Sequence, residues 1–280
     1  MVDGAMGTLL LERGLGPGEP PESITLSRPE VLEEVARLYV DAGADIVETN
    51  TFGASPLRLA HAGLDDRIEQ LNREAVRAAR SAAGDRAYVA ASVGPSGALL
   101  QPMGDATPEQ LYDGFRRQLE YLIGAGVDCV IVETMIDLTE AQLAVRAAKE
   151  MSPGTPVMAT MTFDATPRGF YTIMGVSVEA AAAGLREAGA DAVGSNCGTG
   201  IEEMIGVAKE FGRCTDPPMI IQPNAGLPQA EAGRVVYGDT PHYMAEKAGE
   251  LLAMGVSVIG GCCGTTPEHI AAIRAMVDSR

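Results

Sequence analysis

The sequence predicts an α/β chain: a closed (β/α)₈ TIM barrel of parallel strands, with residues 1–280 as one domain. Three observations carry that prediction. Short apolar runs alternate with amphipathic stretches along the whole chain. Four of those runs resemble one another: AGADIVETN (42–50), AGVDCVIVETM (125–135), AGADAVGSNCG (188–198) and MGVSVIGGCCG (254–264). They recur at intervals of roughly 65 to 85 residues, about twice the length of a strand–helix unit. Each follows a helical pattern that stops at Gly, the residue favoured just past a helix end, and each finishes in polar residues.

Taken in order, Val2 and Asp3 form a very short first strand, followed by a helical pattern near 30–42. The run 42–50 then leads to a helix at 65–83, and AYVAASVG (87–94) to a helix at 108–124. The run 125–135 precedes a helix at 139–150, and PVMATMTF (156–163) precedes one at 178–188. The strands 188–198, PMIIQPNAG (218–226) and 254–264 are followed by helices near 201–211, 241–253 and 267–278. Short strands that are apolar throughout imply burial on both faces, as in parallel sheets covered by helices. Segments 14–29 and 226–239 are expected to be Gly/Pro-containing loops.

Composition narrows the function. The net charge of −17 excludes ordinary nucleic-acid binding, which needs a basic face for phosphate. No apolar run is long enough to span a membrane, and the start MVDGAMGTLLLERG lacks the basic region and cleavage site of a secretory signal. Five cysteines without a framework spacing suit a reducing cytoplasm.

In a barrel, reactive groups gather at the C-terminal strand ends. Asp3, Glu48, Asn50, Glu133, Asn196, Cys197, Asn224, Cys262 and Cys263 all fall there. A single buried cysteine is commonly a small core hydrophobe. Three converging thiols are instead the donor set of a zinc site that keeps its fourth position open, and adjacent cysteines rarely bridge each other. Cys129 reads as core, and Cys214 as a surface cysteine in a loop. Asp3 beside Gly4 and Gly7 suits the two ends of an amino acid, or equally a turn that caps a helix. Glu48 and Glu133 could face a ligand or pair with a cation across the mouth, and Asn224 could simply turn a loop. His61, His242 and His269 lie on or beside helices, away from the strand ends.

The segments DGAMGT (3–8), ETNTFGAS (48–55), SVGPSG (92–97), IVETMIDLTEA (131–141), GSNCGTG (194–200), PNAGLP (223–228) and GGCCGTTPEHI (260–270) together resemble the homocysteine S-methyltransferase family. Within it they are most similar to the homocysteine-binding module of cobalamin-dependent methionine synthases. The resemblance implies a (β/α)₈ fold and Cys197, Cys262 and Cys263 as zinc ligands. It also implies that Asp3 and Glu133 bind the homocysteine amino group, with the Gly4–Ala5 backbone at its carboxylate. Asn224 matches a position able to approach the metal, while Glu48, Asn50 and Thr51 are placed near the substrate. The implied activity is zinc-dependent methyl transfer to homocysteine, giving methionine. The methyl group would come from methylcobalamin on a separate corrinoid protein served by folate-dependent subunits. S-methylmethionine, S-adenosylmethionine and betaine are alternative donors, and a non-catalytic zinc- or thiol-binding protein is a rival reading. The likeness departs at its start, where only Met1 and Val2 precede the DGAMGT segment.

Overall fold

A computed structural model describes residues 1–16, 18–214, 218–231 and 234–280. In chain order the strands are β1 (Ile46–Glu48), β2 (Tyr88–Val93), β3 (Cys129–Met135), β4 (Val157–Met161), β5 (Asp164–Thr166) and β6 (Gly169–Tyr171). They continue with β7 (Ala192–Gly200), β8 (Met219–Asn224), β9 (Gln229–Glu231), β10 (Arg234–Val236) and β11 (Val256–Ile259). Seven of them make one parallel sheet in the order β1-β2-β3-β4-β7-β8-β11.

The sheet curls until its two edges meet across the first residues of the chain. Val2 donates its N–H to Ile259 (2.8 Å) and bridges Ile46 in parallel, while Asp3 donates to Ile46 (3.0 Å). A stave of two residues therefore fills the eighth place of the predicted barrel. It also puts the Asp3 side chain at the rim, directly beside Glu48.

The barrel interior is built by the two-residue period of its strands. Val2, Ala90, Cys129, Ile131, Met158, Ala192 and Ile220 form one apolar cluster inside it. Small residues are required where strands press together. A Cβ on Gly194 would lie 1.7 Å from the Ile220 carbonyl oxygen on β8. Gly194→Ala is accordingly expected to cost about 2 kcal/mol of stability through overpacking, readable as a lower urea midpoint.

The eight predicted helices are observed at Pro29–Asp41, Ile68–Ala83, Pro108–Gly124, Leu138–Met151, Val178–Glu187, Ile201–Cys214, Pro241–Ala253 and Pro267–Asp278. Each buries an apolar stripe on the outside of the sheet. Their starts follow capping chemistry: Thr107 and Gln110 form a reciprocal capping box, and Asp137, Ser177 and Thr240 accept from N3 amides.

Four expectations need correction. Within 226–239, Gln229–Glu231 and Arg234–Val236 pair as an antiparallel hairpin, with residues 232–233 outside the described chain. Within 14–29, Pro21–Ser23 and Ile24–Ser27 are helical turns. Cys214 closes a helix, half-buried, with its thiol on the carbonyl oxygens of Glu210 and Phe211. Cys197 lies within β7 instead of ending it, and Cys262 and Cys263 fall on the turn after β11. The short hairpin is defined by its backbone pairing and not by burial, since Val235 within it is exposed.

Candidate metal centre and amine pocket

Directly above the apolar barrel layer, the same alternation lifts a ring of polar side chains toward the mouth: Glu48, Ser92, Glu133, Thr160, Asn196 and Gln222. Their hydrogen bonds knit neighbouring strands. Ser92 Oγ donates to Glu133 Oε1, and Asn196 Nδ2 donates to Glu133 Oε2 (3.1 Å) and Thr134 Oγ1 (2.8 Å). Asn196 Oδ1 in turn accepts from Thr160 Oγ1 and the Thr134 amide, both at 2.7 Å. Gln222 Nε2 donates to Glu48 Oε1 (3.0 Å).

Alternation would send Cys197 outward, toward the helices, once Asn196 faces the axis. The backbone breaks that pattern: Cys197 has φ 59°, and Thr134, which follows the inward Glu133, has φ 58°. Left-handed non-glycine residues cost about 1–3 kcal/mol each and persist where surrounding contacts over-determine them. Here the cost re-aims a thiol. Cys197 Sγ comes to lie 3.9 Å from Cys263 Sγ, and the sulfurs of Cys197, Cys262 and Cys263 all fall within 4.8 Å of one another.

The turn that carries the cysteine pair is tied down on several sides. Cys262 N–H donates to Pro223 O (2.8 Å), Ala225 N–H to Cys263 O (3.0 Å) and Gly264 N–H to Thr8 Oγ1 (3.2 Å). Gly264 has φ 79°, and a Cβ there would sit 2.1 Å from Cγ of Tyr237, so the tyrosine ring occupies that space. Burial raises the Tyr237 hydroxyl, and the neighbouring Cys263 adds to the rise.

The sulfur spacing suits a metal. Ligands bound tetrahedrally at about 2.3 Å from zinc lie about 3.8 Å apart. The three thiols also behave as one group. Hydrogen bonds from Cys197 and Cys262 hold Cys263 down to about 3, whereas the bond from Cys262 to Cys197 helps push the Cys262 thiol well up. Thiolate donors favour soft or borderline ions such as zinc.

Opposite the sulfurs, Glu48 and Glu133 line a cavity of about 220 Å³, which no Lys, Arg or His lines among the described residues, and Asp3 is buried beside Glu48 without lining it. Burial is the main cause that raises all three carboxyls, taking Asp3 to about 8. Asp3 Oδ2 accepts from the Glu48 amide (2.9 Å), but Asp3 Oδ1 and Gln222 Oε1 are buried acceptors without a partner among the described residues. Such atoms point to a donor supplied from outside.

The other predicted positions separate. Gly4 and Ala5 line the cavity, with the Ala5 N–H engaged by Thr265 Oγ1 (3.1 Å). Asn50 also lines it, although its amide is bound to Pro21 O (2.8 Å). Thr51 is buried behind the wall, donating to Ser92 O (2.7 Å). Asn224 ends β8, buried, with Oδ1 unpartnered, and does not line the cavity. His269 caps its own helix through Thr266 and bonds Asp239 O (2.9 Å), remote from ligation. Sequence reasoning missed Gln222 and Tyr237 and assigned Ser92 no role. Gln222 was within reach, since it lies two residues before Asn224 on one strand face.

Comparison with known proteins gives a consistent picture. A family model described as homocysteine S-methyltransferase matches residues 1–277. Methionine synthases of Mycobacterium leprae and Mycobacterium tuberculosis are each 35% identical over 292 aligned positions, covering 98% of this chain and 24% of theirs. The chain thus spans about a quarter of the length of these relatives. Among solved structures, the metallated form of the homocysteine methyltransferase MmuM from Escherichia coli superposes with a TM-score of 0.80 at 26% identity. That match covers 98% of this chain and 94% of the other. The fold match agrees with the (β/α)₈ reading of the sequence.

Proposed function

The chain belongs to the homocysteine S-methyltransferase family, and on that premise we propose that residues 1–280 act as one barrel domain that methylates the thiol of homocysteine, giving methionine. The observation that carries this reading is the pairing, in one cavity, of three convergent thiols with carboxyls that lack a cation. One end suits a sulfur-binding metal and the other an ammonium, and homocysteine carries both a thiol and an ammonium.

In this reading Cys197, Cys262 and Cys263 hold a zinc ion. When bound, zinc supplies the positive charge that lets a substrate thiol ionise at neutral pH. Asp3 and Glu133 receive the substrate ammonium, and the Gly4–Ala5 segment lies at its carboxylate. Ser92 and Asn196 hold Glu133 in place, and the carboxylate cluster fixes the substrate chain so that its sulfur reaches the cysteines. Asn50, Thr51 and Asn224 shape the surroundings, Asn224 with a free acceptor near the cysteine turn. Transfer then forms a sulfur–carbon bond as the carbon–donor bond breaks. The bonding pair leaves with the donor, and the thiol proton goes to solvent, so no side chain need act as general base.

A methylcorrinoid carried by a separate protein is the preferred donor, on the strength of the likeness to methionine synthases; folate-dependent subunits would recharge it. No helix among the described residues is long and apolar enough to cross a membrane, which is compatible with the cytoplasmic setting we infer from the cysteines. The deciding experiment follows methylcobalamin absorbance with zinc-loaded protein and homocysteine. Loss of the methylcobalamin spectrum with formation of methionine supports the reading. Methionine formed only from S-methylmethionine, S-adenosylmethionine or betaine would overturn the corrinoid donor, and failure with every donor would overturn the activity.

Tyr237 offers a narrower check. Tyr237→Phe keeps the ring over Gly264 and removes only the hydroxyl, a group able to donate to the nearby Cys263 thiolate. Groups that hydrogen-bond metal ligands typically matter 10–100-fold in affinity. Zinc affinity, read by competition with a chromogenic chelator, is expected to fall about tenfold.

A further inference from the structure

Ser92 is held by side chains at a point where its strand partner has run out. Strand β2 pairs with β1 only as far as Ala90, opposite Glu48, and Thr49 N–H donates the next backbone bond to Ala90 O (2.9 Å). By the two-residue alternation of a parallel ladder, Ser92 turns its own N–H and C=O to that same side, past the end of β1. Two threonine hydroxyls take the place of the missing backbone. Ser92 N–H donates to Thr49 Oγ1 (3.2 Å), and Thr51 Oγ1 donates to Ser92 O (2.7 Å). The two hydroxyls lie 2.6 Å apart, brought together by a tight turn in which Thr51 N–H returns to Thr49 O (2.8 Å).

The count of hydrogens fixes the direction of each bond. A hydroxyl has one hydrogen, and that of Thr51 lies on Ser92 O, so Thr49 must donate to Thr51. The bonds then form a closed circuit, from Ser92 N–H through Thr49 and Thr51 back to Ser92 C=O. All three residues are buried, and Gln118 on the helix Pro108–Gly124 anchors the turn from outside by donating to Thr51 O (2.8 Å). The circuit leads to the cavity through one contact. The Ser92 hydroxyl donates to Oε1 of Glu133, which lines that cavity.

We propose that Thr49 and Thr51 are positioning residues for the amine pocket, their hydroxyls clamping the Ser92 peptide so that the Ser92 hydroxyl stays on Glu133. A Ser92 peptide free to tilt would swing its hydroxyl away, and Glu133 would keep only the Asn196 donor on its other oxygen. The step from Glu133 to a bound ammonium rests on the proposed homocysteine reading; the clamp on Ser92 does not.

Thr51 supplies the test, because it does not line the cavity and Val matches its shape without the hydroxyl. Equilibrium binding to the zinc-loaded protein compares homocysteine with 4-sulfanylbutanoate, a thiol that lacks the amino group. Thr51→Val is expected to weaken homocysteine about tenfold, the loss typical of a buried acceptor stripped of its donor, and to leave 4-sulfanylbutanoate little changed. Thr51→Ser, which keeps the hydroxyl, is expected to recover most of that loss. Asn72→Ala removes a buried amide from Ala54 O in the same loop and leaves the circuit intact, so it should lower the urea midpoint and keep the preference for homocysteine. A Val variant with the wild-type preference, a Ser variant as weak as the Val variant, or an equal loss of preference in Asn72→Ala would overturn the proposal. Amide hydrogen exchange at Ser92, in metal-free protein without thiol, reads the clamp alone. Thr51→Val is expected to speed that exchange about tenfold and Thr51→Ser to restore it; unchanged exchange in Thr51→Val would also overturn the proposal. Should the wild type bind both thiols alike, the ammonium reading falls, and exchange alone decides whether the circuit holds Ser92.

Discussion

Cys262→Ala is expected to strip the protein of zinc and of methyl transfer together while leaving the barrel folded. Apparent zinc affinities in thiolate-rich sites are about 10–16 kcal/mol. Divided over four ligands, the loss of one thiolate is worth roughly 3 kcal/mol, on the order of 10²-fold in affinity. Turnover should fall further, by about 10³-fold or more, because the several kcal/mol of charge stabilisation that a metal contributes vanish with it. Metal analysis of dialysed protein and a methionine-formation assay measure the two effects.

The barrel should survive, because the Cys262 backbone, not its thiol, ties the turn to Pro223 and Thr265. A far-ultraviolet spectrum and urea midpoint close to wild type would confirm that the loss is local. A variant that kept both zinc and rate would remove the thiol trio from the reaction altogether.

The barrel was legible because its signals are local and repeated. Each strand from β1 to β11 that joins the main sheet is an apolar run whose neighbours bury both faces, and helix ends carry Gly at positions such as Gly43, Gly126 and Gly189, all with positive φ. Even the two-residue first stave was visible at Val2–Asp3, because an apolar residue followed by a carboxylate repeats the pattern of the other strand ends. The convergence of Cys197 with Cys262 and Cys263 was legible for the same reason, since strand ends share one rim.

What escaped was anything set by backbone exceptions or by partners distant in sequence. The left-handed turn at Cys197 is invisible in composition, as a cysteine there carries no φ preference that advertises it. Tyr237 follows a hairpin that reads as a Gly/Pro-containing loop, and only the seat at Gly264 reveals its place over Cys263. Gln222 reads as a polar residue near a strand end. Its meaning comes from Glu48, 174 positions earlier in the chain.

The carboxylate pair yields the second large effect. Glu133→Gln and Asp3→Asn are each expected to weaken homocysteine binding by about 3 kcal/mol, roughly 10²-fold, since truncating one partner of a buried hydrogen-bonded charge pair costs about 2–5 kcal/mol. The loss should fall mainly on KM, because the amine end is held alike in the ground state and the transition state. A thiol lacking the amino group should lose little between wild type and either variant, so the ratio of the two thiols isolates the ammonium contact.

Asp3→Asn also carries a pH signature. Burial pushes Asp3 up to about 8 from an ordinary 3.8. Between those values the folded chain holds a proton that the unfolded chain has released, so stability falls as pH rises through that window. Asn at position 3 cannot ionise, and its stability should decline less from about pH 4 to pH 8. A bound ammonium favours the carboxylate, so homocysteine should stabilise the wild type increasingly toward pH 8, and Asp3→Asn much less. Thermal midpoints across that range, with and without homocysteine, measure both. Parallel curves for the two proteins would place the ammonium somewhere other than Asp3.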